Sequence, residues 1–401
     1  MNLLLWTLTP VLVLGPALTS FAPRVMAPLF ILCSLMTILA SAWQRKSFPA
    51  FDKHLAMLFG GIMAFGLASY AWNINQEEVL GKVGQLSAVF GSIVFLAPII
   101  REMSLEDLRK FGRLAFYGFG LGLGVYLFES FFNSALYNLT HPGNTDVPDV
   151  KHNKAAVLVS LWLLAVAPTG LLKAGNVQRL VFAGLSALTF FAVFQSQSET
   201  AQMIFAGLPF LILVLYFLPA RIGMTLALSC VITLMVTMPF IATGIYKNTD
   251  WLNTTFIDRS LKSRLEIWNQ ASSRAFEKPI FGWGLDASPK LPNRDDTSLL
   301  YEENLPITHL HPHNAPIQIW FEMGLAGIAA FCGLFILLYG RLKKITVPMA
   351  QKYGAFFGSV LFLYTLAIWG IWQTWFIATL AFSGLMAYAG VRYLVLEKDA
   401  V

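Results

Sequence analysis

The chain contains 401 residues, of which 56% are hydrophobic and 12% are charged, and its mean hydropathy is +0.62. A water-soluble domain usually carries about 25% charged residues, so this composition excludes an ordinary soluble protein and predicts a polytopic membrane protein. The formal charge of +6 is explained by the basic residues that membrane proteins accumulate on one side. It gives no reason to expect a nucleic-acid partner.

Apolar runs predict about twelve transmembrane helices, because a run of about 18 residues or more can cross a hydrocarbon core of about 30 Å. The first run has neither a basic n-region nor a small-residue cleavage site, so we interpret it as a retained helix rather than a signal peptide. We expect a single all-α membrane domain over residues 1–401, with a large loop at 243–314 between the ninth and tenth helices. The runs begin near Leu3, Val25, Leu55, Val83, Leu114, Ala155, Leu180, Ala201, Ile222, Pro316, Phe356 and Ile377.

The distribution of Lys and Arg predicts the orientation, since short cytoplasmic loops collect basic residues. With the N-terminus in the cytoplasm, most of the 28 basic residues fall in cytoplasmic segments, for example Arg45, Lys46, Arg341, Lys343 and Lys344. Both termini are then cytoplasmic, and the 243–314 loop lies outside, which is the periplasm if this is a Gram-negative inner-membrane protein. Chemistry in that loop has no ATP available.

An amphipathic helix is predicted at residues 258–276 of this loop, before Pro279. On a helical wheel Arg264 falls in the middle of the apolar arc, whereas Arg259 falls on the polar arc. Arg264 is either a snorkelling side chain that covers apolar surface or pairs with an acid, or a guanidinium in a partly dehydrated site, where its planar fork matches phosphate oxygens. The apolar arc contains Leu261, Trp268, Ala271 and Ala275.

The titratable His313 and the neighbouring Asn314 stand where the loop gives way to the tenth helix. Pro312 favours an extended backbone and Pro316 suits a first helical turn, so Asn314 or Ala315 is the expected N-cap. His313 then lies at the positive end of the helix dipole, which disfavours an imidazolium and keeps the ring able to accept a proton.

The alternation of His309, His311 and His313 leaves a second interpretation open, in which three rings on one side of a strand bind a metal ion. It lacks the Glu of a zinc-protease helix motif. A loop histidine is also commonly structural or solvated, so the residues alone do not decide among these roles.

Polar residues at two other outside-facing segments are candidate ligands. Lys151, His152, Asn153 and Lys154 precede the sixth helix, where interfacial anchoring is the plain alternative to substrate binding. Residues 195–200 form a compact polar turn between the seventh and eighth helices.

An ionisable residue is also predicted inside the membrane. Glu322 lies about 12 Å into the tenth helix at 1.5 Å per residue, where such a group is functional or paired. The aromatic residues near the outer end of the eleventh helix are expected to form an interfacial belt, with sugar stacking as the alternative. They are Trp369, Trp372, Trp375 and Phe376.

Three motifs in this order resemble the O-antigen ligase and polymerase superfamily of bacterial envelope glycosyltransferases. They are Ser263-Arg264-x-x-x-Trp268, residues 278–285 (KPIFGWGL) and His313-Asn314-x9-Gly324-x-x-Gly327. The last motif and the length resemble the O-antigen ligases more than the polymerases or protein O-glycosyltransferases. Many relatives carry a basic residue where this chain has Ser198 and Glu199, so Lys154 or another cation is the expected substitute.

The resemblance implies a GT-C-like fold and transfer of a glycan from undecaprenyl pyrophosphate to lipid A-core oligosaccharide at the inner membrane. Its expected partners are that donor, that acceptor and membrane lipids. Pyrophosphate is a good leaving group, so neither a nucleotide cofactor nor a metal is expected. His313 is then the candidate base of an inverting transfer and Arg264 the candidate pyrophosphate ligand. Candidates for substrate binding are Lys154, Arg259, His311, Asn314 and Glu322.

Two alternatives remain at the level of sequence. A polymerase of lipid-linked repeat units uses the same donor and another lipid-linked glycan as acceptor. A transporter or flippase is the alternative without catalysis, although carriers commonly show internal repeats, interrupted helices and midplane charges, whereas this chain concentrates polar residues in an outside loop.

Overall fold

The computed structural model describes residues 3–140, 148–171, 175–247, 259–290, 311–367 and 369–399, without the side chains of residues 148–152, 170–171 and 259–260. These residues form α-helices and short 3-10 turns and contain no β-strand. The helices are α1 (Leu3–Phe21), α2 (Met26–Arg45), α3 (Lys53–Ser69), α4 (Gln76–Glu102), α5 (Leu105–Phe131), α6 (Ala135–Thr140), α7 (Pro148–Leu171), α8 (Asn176–Gln195), α9 (Glu199–Phe217), α10 (Ala220–Lys247), α11 (Arg259–Ala275), α12 (Ala315–Lys343), α13 (Pro348–Thr365) and α14 (Thr374–Asp399).

The expected all-α polytopic fold is confirmed. Within the described part of the chain, nine helices are long and apolar enough to cross a membrane, and Lys53–Ser69 and Asn153–Thr169 are shorter apolar helices. Each predicted hydrophobic run coincides with a helix, while α6 and α11 lie between the runs. The loop begins later than expected, because α10 continues to Lys247.

The interior of the bundle is built around α14, which packs against α7, α4 and α13. Beside it α1 packs closely against α5, and Gly118 allows this approach, since a Cβ at that position would lie 1.9 Å from the Leu12 carbonyl oxygen. By contrast, fewer than a third of the residues in the apolar stretches of α8, α9 and α10 are buried. Lipid-facing apolar surface of this kind is expected of a multi-pass membrane protein.

α12 is interrupted at Gly324, whose φ of 59° and ψ of −151° are not helical. Every residue from Ala315 to Gly324 is buried, so the first segment of α12 runs inside the protein rather than along lipid. Interrupted helices are tolerated in membranes where protein groups satisfy the freed backbone. Interrupted helices are common in carriers and were not expected in this chain. The structure therefore shows one feature that carriers share.

Residues 279–284 fill this interruption and are called the strap below. The Trp283 and Gly284 N–H groups donate to the carbonyls of Phe321 and Glu322, both at 2.9 Å. On the other side of the interruption, the N–H groups of Leu325 and Ala326 donate to strap carbonyls at 2.8 and 3.1 Å. The KPIFGWG motif therefore supplies the backbone partners that α12 loses.

Ion pairs gather at the end of the bundle opposite the strap. Arg341 at the end of α12 binds the Asp52 carboxylate through both guanidinium nitrogens, at 2.5 and 2.7 Å. Arg45 pairs with Glu102, joining the ends of α2 and α4. These contacts lie at one end of the bundle. The segments that form them are the ones that the Lys and Arg distribution assigns to the cytoplasm.

Candidate active site

The His313 turn begins α12 as predicted, with Asn314 as its N-cap. The Asn314 Oδ1 accepts a hydrogen bond from the Ile317 N–H at 3.1 Å, and Pro316 lies in the first turn. Asn314 is fully buried, and its Nδ2 has no hydrogen-bond partner within the described ranges. Its oxygen is committed to the cap, and only its amide nitrogen remains for a ligand.

His313 itself has a φ of +54°, in the left-handed region that non-glycine residues seldom adopt. Such a conformation costs about 1–3 kcal/mol and persists only where surrounding contacts impose it. The cap of α12 on one side and the contacts of Pro312 on the other impose it here. His313 is partly exposed, between a buried proline and a buried asparagine.

A long-range hydrogen bond holds helix α11 against this turn. The Trp268 Nε1–H donates to the carbonyl oxygen of Pro312 at 2.9 Å. Arg264 lies four residues earlier, on the same face of α11, and its Nη1 donates to the Thr200 hydroxyl at 2.8 Å. The polar turn predicted at residues 195–200 therefore contacts Arg264 through Thr200.

The amphipathic helix is confirmed at Arg259–Ala275, although its faces differ from the wheel at two positions. Leu261, placed on the apolar arc, is 41% exposed, whereas Glu266, placed on the polar arc, is 3% exposed. A wheel assumes one buried face, but α11 packs against both α10 and α12, so two sides of the helix are covered. Arg264 lies between them and is partly buried.

His311 lies directly beside His313, with ring centroids 4.2 Å apart and an interplanar angle of 61°. The His311 Nε2 forms a hydrogen bond with the Gln373 Nε2 at 2.7 Å, and the Gln373 Oε1 accepts from Trp375 Nε1 at 3.0 Å. The Lys154 ammonium stands 5.3 Å from the centroid of the Trp375 ring. The structure thus brings Lys154, His311 and His313 to one region.

Two other expectations fall outside the described side chains. Arg259 begins α11, but its side chain, like those of Lys151 and His152, is not described. His309 lies wholly outside the described residues. In the part of the chain that is described, no three His, Cys, Asp or Glu side chains meet as a metal site requires; the three-histidine alternative includes His309 and stays open.

Glu322 is fully buried, and its carboxylate is occupied by donors from three separate segments. It accepts from the Gln318 side chain at 2.9 Å, from the Asp286 N–H at 2.7 Å and from the Ser288 N–H at 3.3 Å. The Ser288 hydroxyl and the Trp372 indole also donate to it. We therefore interpret Glu322 as a residue that fixes the strap region against α12, and a direct contact with substrate stays a prediction.

The neighbouring Asp286 extends this network to α4. Its carboxylate pairs with the Lys82 ammonium at 3.2 Å, and the same ammonium donates to the Trp372 carbonyl at 3.3 Å. Burial raises the pKa of Asp286, and the Lys82 charge opposes that rise. The network thus joins α4, the segment that follows the strap, α12 and the segment before α14.

The expected aromatic belt is wrong for three of its four members. Trp372, Trp375 and Phe376 are 1%, 8% and 0% exposed, so they pack inside the protein rather than at the lipid interface. The indole N–H groups of Trp372 and Trp375 donate hydrogen bonds to Glu322 and Gln373, respectively. A tryptophan cluster at a helix end predicts a belt only if the segment faces lipid, and hydropathy does not tell which way it faces.

Sequence reasoning missed the two glutamines of the site. Gln318 precedes Glu322 by one helical turn, a spacing at which side chains meet, and its Oε1 accepts from the Ile371 N–H at 2.9 Å. Gln373 lies within the tryptophan cluster and carries no motif of its own. The first could have been found from its spacing, whereas nothing in the sequence marks the second.

Comparison with known proteins identifies the region that holds these contacts. The family model described as O-antigen ligase matches residues 184–332, from α8 to α12. Over these residues the chain is similar to the O-antigen ligase family. The matched residues include Arg264, the strap, His313 and Glu322.

Curated relatives agree over a similar length. The chain is 32% identical over 143 residues to a Rickettsia typhi protein named "Putative polysaccharide ligase". These residues are 35% of this chain and 32% of the relative. Proteins of the same name from Rickettsia prowazekii and Rickettsia conorii are each 31% identical, over 143 and 140 residues. The chain spans about a third of the length of these relatives.

Proposed function

We propose that this chain is a member of the O-antigen ligase family and a glycosyltransferase that moves a glycan from undecaprenyl pyrophosphate to lipid A-core oligosaccharide. The observation that carries the proposal is the Trp268–Pro312 hydrogen bond. It fixes the helix that bears Arg264 against the turn that bears His313, and both segments lie within the residues that match the family model. This contact supports a site that combines a cation with a proton acceptor.

The donor end of the site is the cationic side. Arg264 lies partly buried with one nitrogen on Thr200, and its planar fork suits the oxygens of a pyrophosphate. Lys154 and Arg259 are the further cations proposed for the same group. Charge develops on the pyrophosphate as the glycosidic bond breaks, and fixed cations at that position stabilise the transition state.

The acceptor end is the histidine side. The acceptor hydroxyl attacks the anomeric carbon as the bond from that carbon to the pyrophosphate oxygen breaks, and its proton passes to a ring nitrogen of His313. A base positioned in this way contributes about 10² to 10⁴ in rate. One direct displacement inverts the anomeric centre, and it needs neither nucleotide nor metal because lipid pyrophosphate leaves readily.

The location follows from the charge distribution. Basic segments at the Arg45 and Arg341 end favour a cytoplasmic placement of that end, so we place the chain in the bacterial inner membrane with both termini cytoplasmic. The site between α11 and α12 then faces the periplasm. Both substrates are amphiphiles that reach it through the membrane.

Transfer by purified protein in liposomes tests the proposal. The protein is supplied with undecaprenyl pyrophosphate glycan and lipid A-core in the presence of EDTA, and the wild type is compared with His313→Ala and Arg264→Ala. We expect glycan on lipid A-core with the wild type and a loss of kcat of about 10² or more in both variants. His54→Ala and Arg274→Ala are matched controls, since His54 is exposed at the start of α3 and Arg274 pairs with Glu277 on α11.

Each other result contradicts a stated part of the proposal. Elongated lipid-linked glycan with untouched lipid A-core indicates a polymerase. Loss of activity in EDTA that added metal restores contradicts the metal-independent mechanism. Full activity of His313→Ala shows that His313 is not the base of the transfer.

A further inference from the structure

The Gln373 side chain lies between two rings in the short segment that joins α13 to α14. Its Oε1 accepts a hydrogen bond from the Trp375 Nε1–H at 3.0 Å. Its Nε2 lies 2.7 Å from the Nε2 of His311. Gln373 therefore links an interior tryptophan to the histidine that touches His313.

The tryptophan decides which end of the amide faces the histidine. An indole nitrogen can only donate, so the oxygen of Gln373 must face Trp375. The amide nitrogen then faces His311, and since that nitrogen can only donate, the His311 Nε2 must accept. A ring nitrogen that accepts carries no proton, and the neutral His311 ring is thereby the tautomer with its proton on Nδ1.

Packing holds both rings of this chain of contacts. His311 and Trp375 are each 8% exposed. Gly370 lies against the His311 ring so closely that a Cβ there would be 2.9 Å from the ring. The Trp375 ring packs on Trp369 at 4.8 Å between centroids, so neither ring can turn without displacing its neighbours.

We propose that Trp375, Gln373 and His311 form a positioning relay for His313. The relay fixes the His311 ring in its Nδ1–H tautomer, and this ring, tilted by 61° against the His313 ring at 4.2 Å, sets the orientation in which His313 meets the acceptor hydroxyl. The role of His313 in this statement rests on the proposed function. His311 and Gln373 are positioning residues, and neither is proposed to touch the reacting atoms.

The relay has two chemical consequences. An imidazolium has no acceptor nitrogen, so the amide of Gln373 disfavours protonation of His311 and keeps positive charge away from His313. The same arrangement uses the Nε2 lone pair and protonates Nδ1, which leaves His311 without a lone pair for a metal ion. The relay thus supports a neutral proton acceptor at His313.

Nitrogen NMR of the wild type tests the tautomer without any assay of activity. The protein is labelled with 15N-histidine in liposomes at pH 7.5, and the His311 signals are identified by their loss in His311→Asn. We expect a protonated Nδ1 and an unprotonated Nε2. A protonated Nε2 in the wild type overturns the proposal.

Gln373→Glu then reverses the relay at constant shape, because a carboxylate can only accept. We expect the His311 Nε2 to become protonated and kcat to fall about tenfold, a part of the 10² to 10⁴ that a positioned base contributes, with KM for the donor unchanged. Trp375→Phe removes the indole N–H and is expected to produce a mixture of tautomers with a smaller loss of kcat. If the tautomer changes and kcat does not, the relay has no role in transfer.

Gln85→Glu is the matched control. The Gln85 Oε1 accepts from the Thr374 hydroxyl at 2.6 Å, and a carboxylate keeps that bond while it adds the same charge beside the same segment. We expect wild-type kcat and an unchanged His311 tautomer. If His313→Ala retains transfer while His311 has the expected tautomer, the proposed catalytic role of His313 fails and the tautomer assignment stands.

Discussion

Individual side chains near α12 divide into those with a polar group that has no protein partner within the described residues and those whose polar groups all bind protein groups. The Asn314 amide nitrogen is buried without a hydrogen-bond partner within the described ranges, whereas every contact of the Glu322 carboxylate is to a protein donor. The residues share a helix and lie eight positions apart. Their chemistry therefore follows from their surroundings and not from membership of one motif.

Glu322→Ala is expected to destabilise the protein. The substitution leaves the buried N–H groups of Asp286 and Ser288 and the Trp372 indole without an acceptor, and orphaned donors of this kind cost about 1–3 kcal/mol each. We expect the free energy of unfolding in detergent to fall by about 3 kcal/mol or more, measured by thermal or denaturant unfolding.

Glu102→Ala is the matched control for this change. Glu102 pairs with Arg45 at 39% side-chain exposure, where an ion pair contributes about 0–1 kcal/mol. A Glu322→Ala protein with wild-type unfolding and a raised KM would instead assign Glu322 to substrate binding.

At the scale of elements, the interruption of α12 depends on a single glycine. The φ of 59° and ψ of −151° at Gly324 lie close to a region that only glycine populates readily. A Cβ there would also lie 2.6 Å from the Ile280 carbonyl and the Pro279 oxygen. The strap and the interruption consequently require each other.

Gly324→Ala is expected to displace the strap and reduce both stability and transfer. The backbone strain alone is worth about 1–3 kcal/mol, and the overlap with the strap adds to it. We expect a lower unfolding midpoint in detergent, together with a loss of kcat, because the strap leads directly into Asp286 and Ser288, which bind the Glu322 carboxylate. Gly333→Ala on the same helix is the control, since its Cβ would meet only Leu58 at 3.8 Å, and equal unfolding midpoints for the two variants would contradict this account.

The elements themselves were largely predictable from sequence. Hydrophobic runs gave the positions of the long helices, and the capping pattern gave both α11 and the start of α12. The interruption at Gly324 was not predictable, because hydropathy is averaged over a span and an isolated glycine in a helical pattern is usually tolerated. The KPIFGWG motif was visible in sequence, but its place inside α12 depends on backbone contacts that no periodicity encodes.

The candidate site was predictable to the extent that local chemistry defines it. Arg264 and His313 stand out from a wheel and a helix start, and the structure joins their segments through Trp268 and Pro312. Gln373 is separated from His311 by 62 positions, and such a contact follows from the packing of α13 and α14 against the rest of the bundle. Residues that act through another residue carry no signal in a single sequence.

At the scale of the whole molecule, the ion pairs and the candidate site lie at opposite ends of the bundle. Arg45–Glu102 and Arg341–Asp52 lie at one end, and the Arg264 and His313 segments lie at the other. Basic residues in short loops are retained in the cytoplasm during insertion. The distribution therefore predicts both the orientation and the compartment in which the site works.

Cysteine labelling tests this orientation. Lys46 is exposed after α2, and Ser273 is exposed on α11, so Lys46→Cys and Ser273→Cys report on opposite ends. Cells with a permeabilised outer membrane are treated with a membrane-impermeant maleimide, before and after lysis. We expect Ser273→Cys to react in both samples and Lys46→Cys only after lysis, because positive charge holds its loop in the cytoplasm.

The unsubstituted protein is the control for this labelling, since its own Cys230 is exposed on the apolar helix α10. The reverse pattern would place the site in the cytoplasm, where nucleotide-linked sugars are available and a lipid pyrophosphate donor is no longer required. It would therefore overturn the choice of donor as well as the orientation. The expected pattern places the site in the periplasm. Because ATP is not available there, a lipid-linked donor is then the glycan source.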